Sequence, residues 1–139
     1  MLIIEHTEQT SAQPSAIWKL YQDVDNWNRW DHALEYTKLS GKFAENSTIK
    51  LKVKNGPLVD IIINKLEENK LFIDTSNLFL CKIIDTHTIT QKNGQTFVTH
   101  KIEMTGLLSF FFAFVIGRGM KKDLPSVMKE LVTQAERLA

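Results

Sequence analysis

The chain has 139 residues, 43% apolar and 24% charged, ordinary values for one globular domain able to bury its own core. A formal charge of +1 leaves no overall field drawing it toward nucleic acid or an anionic membrane. The lone Cys81 excludes an intrachain disulfide and a cysteine zinc cluster, and it fits a cytoplasmic location.

The opening "MLIIEHTEQT" has no basic start and a four-residue apolar run, so a strand is expected and a signal peptide is not. Pro14 suits the first turn of a helix, where its fixed φ fits and its missing N–H is not needed. Ile17, Tyr21 and Val24 follow on one face of that helix. Asp25 is placed to cap a second short helix. Trp27 and Trp30 share a side of it. "LEYTKLSGKF" is a strand entering a glycine turn. In "STIKLKVKNGP", Ile49, Leu51 and Val53 alternate with Lys50, Lys52 and Lys54, whose face is the solvated side of a sheet. "LVDIIINKLEE" is the next strand, "ENK" a tight connection and "LFIDTSN" another strand. "LFLCKIIDTHTITQ" is a long strand with Phe79, Cys81, Ile83, Asp85, His87 and Ile89 on its inner face. "KNG" turns the chain into "QTFVTHKIEMTG", where Val98, His100, Ile102 and Met104 share one face.

From Gly106 the period is helical to the end. "GLLSFFFAFVIG", residues 106 to 117, is almost wholly apolar but shorter than the roughly 20 residues that span a bilayer. A buried helix is expected, and no integral membrane segment; contact with a membrane surface is the lesser reading. Phe110, Phe111 and Phe114 can face inward together while Phe112 points elsewhere. An exposed Phe112 would signal a homodimer contact or a membrane touch. "GRG" at 117–119 is expected as a flexible joint between two helical pieces. Leu124, Met128, Leu131, Val132 and Ala135 form an apolar stripe, and Pro125 should start a new helix or kink a long one. No repeat or linker divides the chain, so residues 1–139 form a single domain. The order is strand, two short helices, a run of strands and a long helix. It predicts an α+β fold: a curved antiparallel sheet of about six to seven strands wrapped around the C-terminal helix. A hollow between sheet and helix is a natural ligand site.

Four stretches carry a family resemblance. "PSAIWKLYQDVDNWNRWD" resembles the opening helices of the START-like, helix-grip superfamily, which includes polyketide cyclases and dehydrases, lipid-transfer proteins and the birch-pollen allergen family. "LSGKFAENSTIKLK" resembles its Gly-Phe turn, "DTHTITQKNGQTFVTHKIEMTGLL" its last hairpin and "GRGMKKDLPSVMKELVTQAE" its terminal helix. The resemblance covers nearly the whole chain. Where that family has a Gly before the second strand of the turn, Asn46 stands here, and Asn tolerates positive φ. The resemblance implies a hydrophobic cavity and a small apolar or amphipathic ligand. It implies no particular reaction.

A cyclase or dehydrase needs an acid and a base inside an apolar pocket. Alternation turns Asp85, His87 and His100 inward, and the "KNG" hairpin brings the two histidines toward each other. These three are the candidates for catalysis or for a polar ligand handle; wall groups bonded to each other and to water are the plain alternative. Trp27, Trp30, Ile83, Met104, Phe110, Phe111 and Phe114 complete the expected ligand-binding wall, with the tryptophans plugging or rimming one end of the cup. His6, His32, His87 and His100 show no metal-ligand spacing, so no metal is expected. No glycine-rich phosphate loop follows a strand, so no nucleotide cofactor is expected, and the near-neutral charge gives no reason to expect a nucleic-acid partner. No nucleophile elbow is present, and Cys81, mid-strand among apolar neighbours, is inert. The sequence thus points to binding or carrying of a small hydrophobic or amphipathic molecule. A polyketide cyclase/dehydrase-type enzyme in the same cavity is the alternative, and a chaperone-linked interaction domain on the same fold is a third.

Overall fold

The computed structural model describes residues 2–138. Its strands are β1 (Leu2–Thr10), β2 (Leu34–Leu39), β3 (Thr48–Val53), β4 (Leu58–Glu67), β5 (Leu71–Leu78), β6 (Cys81–Lys92) and β7 (Gln95–Thr105). Between β1 and β2 lie α1 (Pro14–Gln22) and a 3-10 helix (Val24–Arg29). After β7 come α2 (Ser109–Phe112), a π turn (Ala113–Gly117) and α3 (Arg118–Arg137). The strands form one antiparallel sheet in the order β1-β7-β6-β5-β4-β3-β2. β2 to β7 form a meander, because short turns leave no other neighbour within reach. β1 closes the far edge by pairing with β7.

Two register shifts help bend the sheet, at Glu35 in β2 and Asn64 in β4. Each puts an extra residue on one strand, which increases local twist and curl. The concave face buries Ile49, Ile61, Ile63, Phe72, Ile83, Val98, Ile102 and Met104. Against it lies α3, whose apolar stripe Leu124, Met128, Leu131, Val132 and Ala135 is buried as its spacing predicts. Two contacts fix the helix along β1. Near its C-terminus Glu136 accepts a hydrogen bond from the Thr10 hydroxyl at 2.6 Å. At its start Gly117 abuts Leu2: a Cβ there would stand 2.9 Å from the Leu2 Cδ2.

Several local expectations are corrected. Asp25 does not cap the 3-10 helix; its carboxylate accepts the Leu39 N–H at 2.9 Å and pairs with Lys38 at 3.3 Å, tying the helix to β2. Phe79 is not on the inner face of β6: Leu78 pairs with Cys81, so Phe79 and Leu80 are the turn itself. Pro125 does not start a new helix; it lies inside the long helix α3, the second of the two places expected for it. Gly117 serves close packing against Leu2, and the helical course continues through "GRG". Asn46 does take the left-handed conformation, φ 74°, and its N–H reaches the Ile63 carbonyl at 2.7 Å.

Gly106 is where the sheet hands over to the helix. Its φ is 113°, and a Cβ would lie 2.5 Å from the Leu80 carbonyl oxygen. Gly106→Ala should therefore cost about 2 kcal/mol, from strain plus displacement of the β5–β6 turn. Gly41→Ala, at φ 81° with nothing within 4 Å, should cost less. Urea midpoints of the two variants check the ranking.

Candidate functional site

Residues paired across antiparallel strands point to the same face. One row of the concave wall runs His6, His100, His87, Phe72 across β1, β7, β6 and β5. The adjacent row runs Ile4, Ile102, Asp85, Asp74. Three imidazoles and two carboxyls thus sit together on a wall that is otherwise mostly apolar.

The His87 and His100 rings stack with centroids 4.2 Å apart. His87 Nδ1–H donates to the Phe72 carbonyl at 3.1 Å, since a carbonyl can only accept. His100 Nε2–H donates to Asp85 Oδ1 at 3.3 Å. Asp74 Oδ2 lies 4.0 Å from His87 Nδ1, beyond hydrogen-bond reach. At the outer end of the strip His6 Nε2 donates to Glu8 Oε1 at 2.8 Å.

Burial, then the neighbouring Asp85 charge, pushes the Asp74 carboxyl well above the ordinary carboxylate range. Two adjacent carboxyls resist ionising together, which favours the protonated form of Asp74 beside Asp85. Asp74 Oδ1 is buried and has no hydrogen-bond partner among the described residues, so nothing there offsets the cost of a negative charge. Burial pushes Asp85 up too, but the His100 hydrogen bond and charge, with His87 behind, hold it below its usual value. Burial, aided by His100, drives His87 down to about 3, so its imidazole is neutral.

Aromatic rings close one side of the strip. Phe72 packs on Phe43 at 5.5 Å, Tyr21 at 5.9 Å, Trp27 at 6.0 Å and His87 at 4.6 Å. Toward β1 the strip is less closed. Asp85 and His100 keep 19% and 20% of their side-chain surface open, while Asp74 keeps 4%. Asp31, just after the 3-10 helix, lies close enough to His100 to feel its charge. Burial raises its carboxyl, against the pull of the Ala33 N–H.

The expected site residues divide into two sets. Asp85, His87 and His100 come together on the inner wall, with Ile83 and Met104 buried beside them. Trp27 and Trp30 are buried 6.2 Å apart, and the Trp27 Nε1–H donates to the Tyr21 carbonyl at 3.0 Å. Phe110, Phe111 and Phe114 are exposed and do not face the interior. Phe112 is the one packed against the core, with Ile116 and Met120 at steps of four behind it. The reason is phase: counting back by four from Leu124 arrives at Met120, Ile116 and Phe112. Missing from the sequence reading were His6, Glu8, Asp31, Asp74, Tyr21 and Phe72. The alternation Phe72, Asp74, Ser76, all buried, was the available signal for Asp74. Two surface hollows, of about 430 and 780 Å³, lie elsewhere, and neither contains Asp85, His87 or His100. Among the described residues no cluster of three or more His, Cys, Asp or Glu is placed to hold a metal ion.

No protein-family model matches the chain, and no curated protein matches it in sequence. Solved structures do. A protein of Mesorhizobium loti, MLL2253, superposes with TM-score 0.77 at 18% identity, over 99% of both chains. A START superfamily protein from Mycobacterium smegmatis gives 0.72 at 14%, also over 99% of both. The di-domain ARO/CYC BexL from the BE-7585A biosynthetic pathway gives 0.74 at 12%, over 98% of this chain and 47% of that one. At these identities the likeness is one of architecture: the chain has the START-like helix-grip fold, a curled antiparallel sheet holding a long C-terminal helix.

Proposed function

We propose that the protein binds or carries a small hydrophobic or amphipathic molecule in the grip between the sheet and α3. The observation that carries this is the Asp85–His100 pair, a hydrogen-bonded polar handle left partly open on a mostly apolar, buried wall. Ile83, Met104, Trp27 and Trp30 belong to the buried apolar core that would form the rest of the site. Asp85 accepts one bond from His100 and has further lone pairs, so the handle suits a ligand hydroxyl or another donor. Ligand sites commonly combine apolar walls with a few placed polar groups in this way.

A second reading, an enzyme of the polyketide cyclase/dehydrase type, is favoured by one further observation. Asp74 and Asp85 are neighbours whose acidities are pushed in opposite directions. Such a split is how one site holds both an acid and a base near neutral pH. Asp74 would supply the proton, and Asp85 with His100 would accept one.

Native mass spectrometry of freshly purified protein should show a bound small molecule that leaves on denaturation. Asp85→Asn and His100→Gln should each weaken rebinding of that molecule by about tenfold, the value of one buried hydrogen bond to a charged group. Absence of any bound mass, together with no uptake of an anilinonaphthalene dye, would sink the carrier reading. If both variants bind normally but fail to convert the molecule, the enzyme reading stands instead.

The protonation of Asp74 has its own test. Its folded-state acidity is weaker than in the unfolded chain, so its contribution to stability is present at low pH and lost as pH rises above about 3.8. Asp74→Asn does not titrate. Its unfolding free energy relative to the parent should therefore climb as pH rises above about 4, by up to about 1.4 kcal/mol per pH unit over the window where the two states differ, as urea titrations at several pH values would show. A flat difference would show that Asp74 is ionised in the fold.

A further inference from the structure

We propose that one end of the molecule, built from the β5–β6 turn and the start of the C-terminal helix, docks on an anionic lipid surface. This rests on residues outside the grip and holds whether or not the grip is occupied.

The turn is a two-residue hairpin in which Phe79 and Leu80 cross between paired Leu78 and Cys81. Phe79 is 76% exposed and Leu80 48%. Leu80 has φ 54°, in the left-handed region. The other non-glycine residues with positive φ among those described are Asn46, Asn55, Asn69 and Asn93. Asparagine adopts this backbone at little cost and leucine does not. At its other positive-φ turns the chain places Asn or Gly; here it holds two large apolar side chains in solvent on a strained backbone. Strain of that kind points to a constraint other than folding.

The helix start adds to the same end. The Leu108 N–H donates to the Leu80 carbonyl at 2.9 Å, clamping the turn against it. Leu107 is 78% exposed, Phe110 76% and Phe114 66%. Segments 78–82 and 106–123 contain four basic residues, Lys82, Arg118, Lys121 and Lys122, against one acid, Asp123. The Arg118 guanidinium lies 4.8 Å from the Phe114 ring centre. Apolar side chains followed by cations that can reach past them form the usual architecture of a membrane-interface element. No described helix is long and apolar enough to cross a bilayer, so the contact is with the surface. A second copy fits less well: a two-fold contact would set four cations against four, with only Asp123 of each copy to meet them. Anionic headgroups supply the missing charge.

Cosedimentation with unilamellar vesicles tests this, using phosphatidylcholine alone and phosphatidylcholine mixed with phosphatidylglycerol. The parent protein should bind the mixed vesicles, and added salt should release it. Phe110→Ser with Phe114→Ser should lower binding at least about tenfold, since each ring leaves a buried position. Lys121→Ala and Lys122→Ala should each lower it about fivefold. Replacing Phe79 and Leu80 by Asn and Gly should weaken binding while raising the melting temperature by roughly 3 °C, because the turn strain is relieved. Equal binding to both vesicle types, or unchanged binding by the phenylalanine variants, would overturn the proposal. So would a dimer in sedimentation equilibrium that Phe110→Ser converts to monomer, which would make a second copy the occupant.

Discussion

Phe72 organises the interior. Its ring is fully buried between Phe43, Tyr21 and Trp27, and its carbonyl fixes the His87 Nδ1–H. That single hydrogen bond sets the tautomer: with Nδ1 protonated and the ring neutral, His87 Nε2 carries the lone pair. The aromatic block also excludes water from this side of the wall. An imidazolium there would be a charge without solvent, which is why His87 stays neutral far below the pH at which free histidine titrates.

The remaining charges follow from that dryness. Asp74 neighbours Phe72 along the same face of β5 and is shut in with it, so it holds its proton. Asp85, one strand toward the open side, is less shut in and has His100 as a partner. Ionisation therefore changes across a single strand pair, from neutral on β5 to charged on β6. A ligand entering from the β1 side would meet Asp85 and His100 first and the more deeply buried Asp74 carboxyl behind them. The gradient comes from geometry: aromatic packing dries one edge of the strip, and the distribution of protons obeys it.

Much of this was legible in the sequence because strand alternation has a period of two and leaves little choice. Val98, His100, Ile102 and Met104 fall on one face together, and the "KNG" turn fixes the partner strand, so His87 opposite His100 follows. Asp74 and His6 obey the same rule, but their strands carry polar residues on both faces, and the buried side is not evident until the neighbours are known. The turn at Phe79–Leu80 was hidden for a physical reason. Two large apolar residues carry no turn chemistry, and the chain adopts the turn against their preference. Asp25 misled because an acid at the start of a helix usually caps it, whereas here a backbone N–H of β2 competes successfully.

The terminal helix shows the contrast between what the fold needs and what the chain supplies. Inward positions 112, 116, 120, 124 and 128 step by four and are filled by Phe, Ile, Met, Leu and Met. Along α3 the outward positions are polar, with Lys121, Lys122, Lys129 and Arg137 exposed. Before Gly117 that division breaks down: Leu107, Phe110, Phe114 and Val115 are apolar and face out. Burial against the sheet explains the first series and cannot explain the second, since those side chains touch water. Single exposed apolar residues are ordinary. A cluster confined to one end, adjoining a strained apolar turn and followed by three cations within five residues, is not what solubility or folding selects. The outward face of the first helical turns is therefore best understood as a surface made to be covered, and the inward face as the part that holds the grip closed.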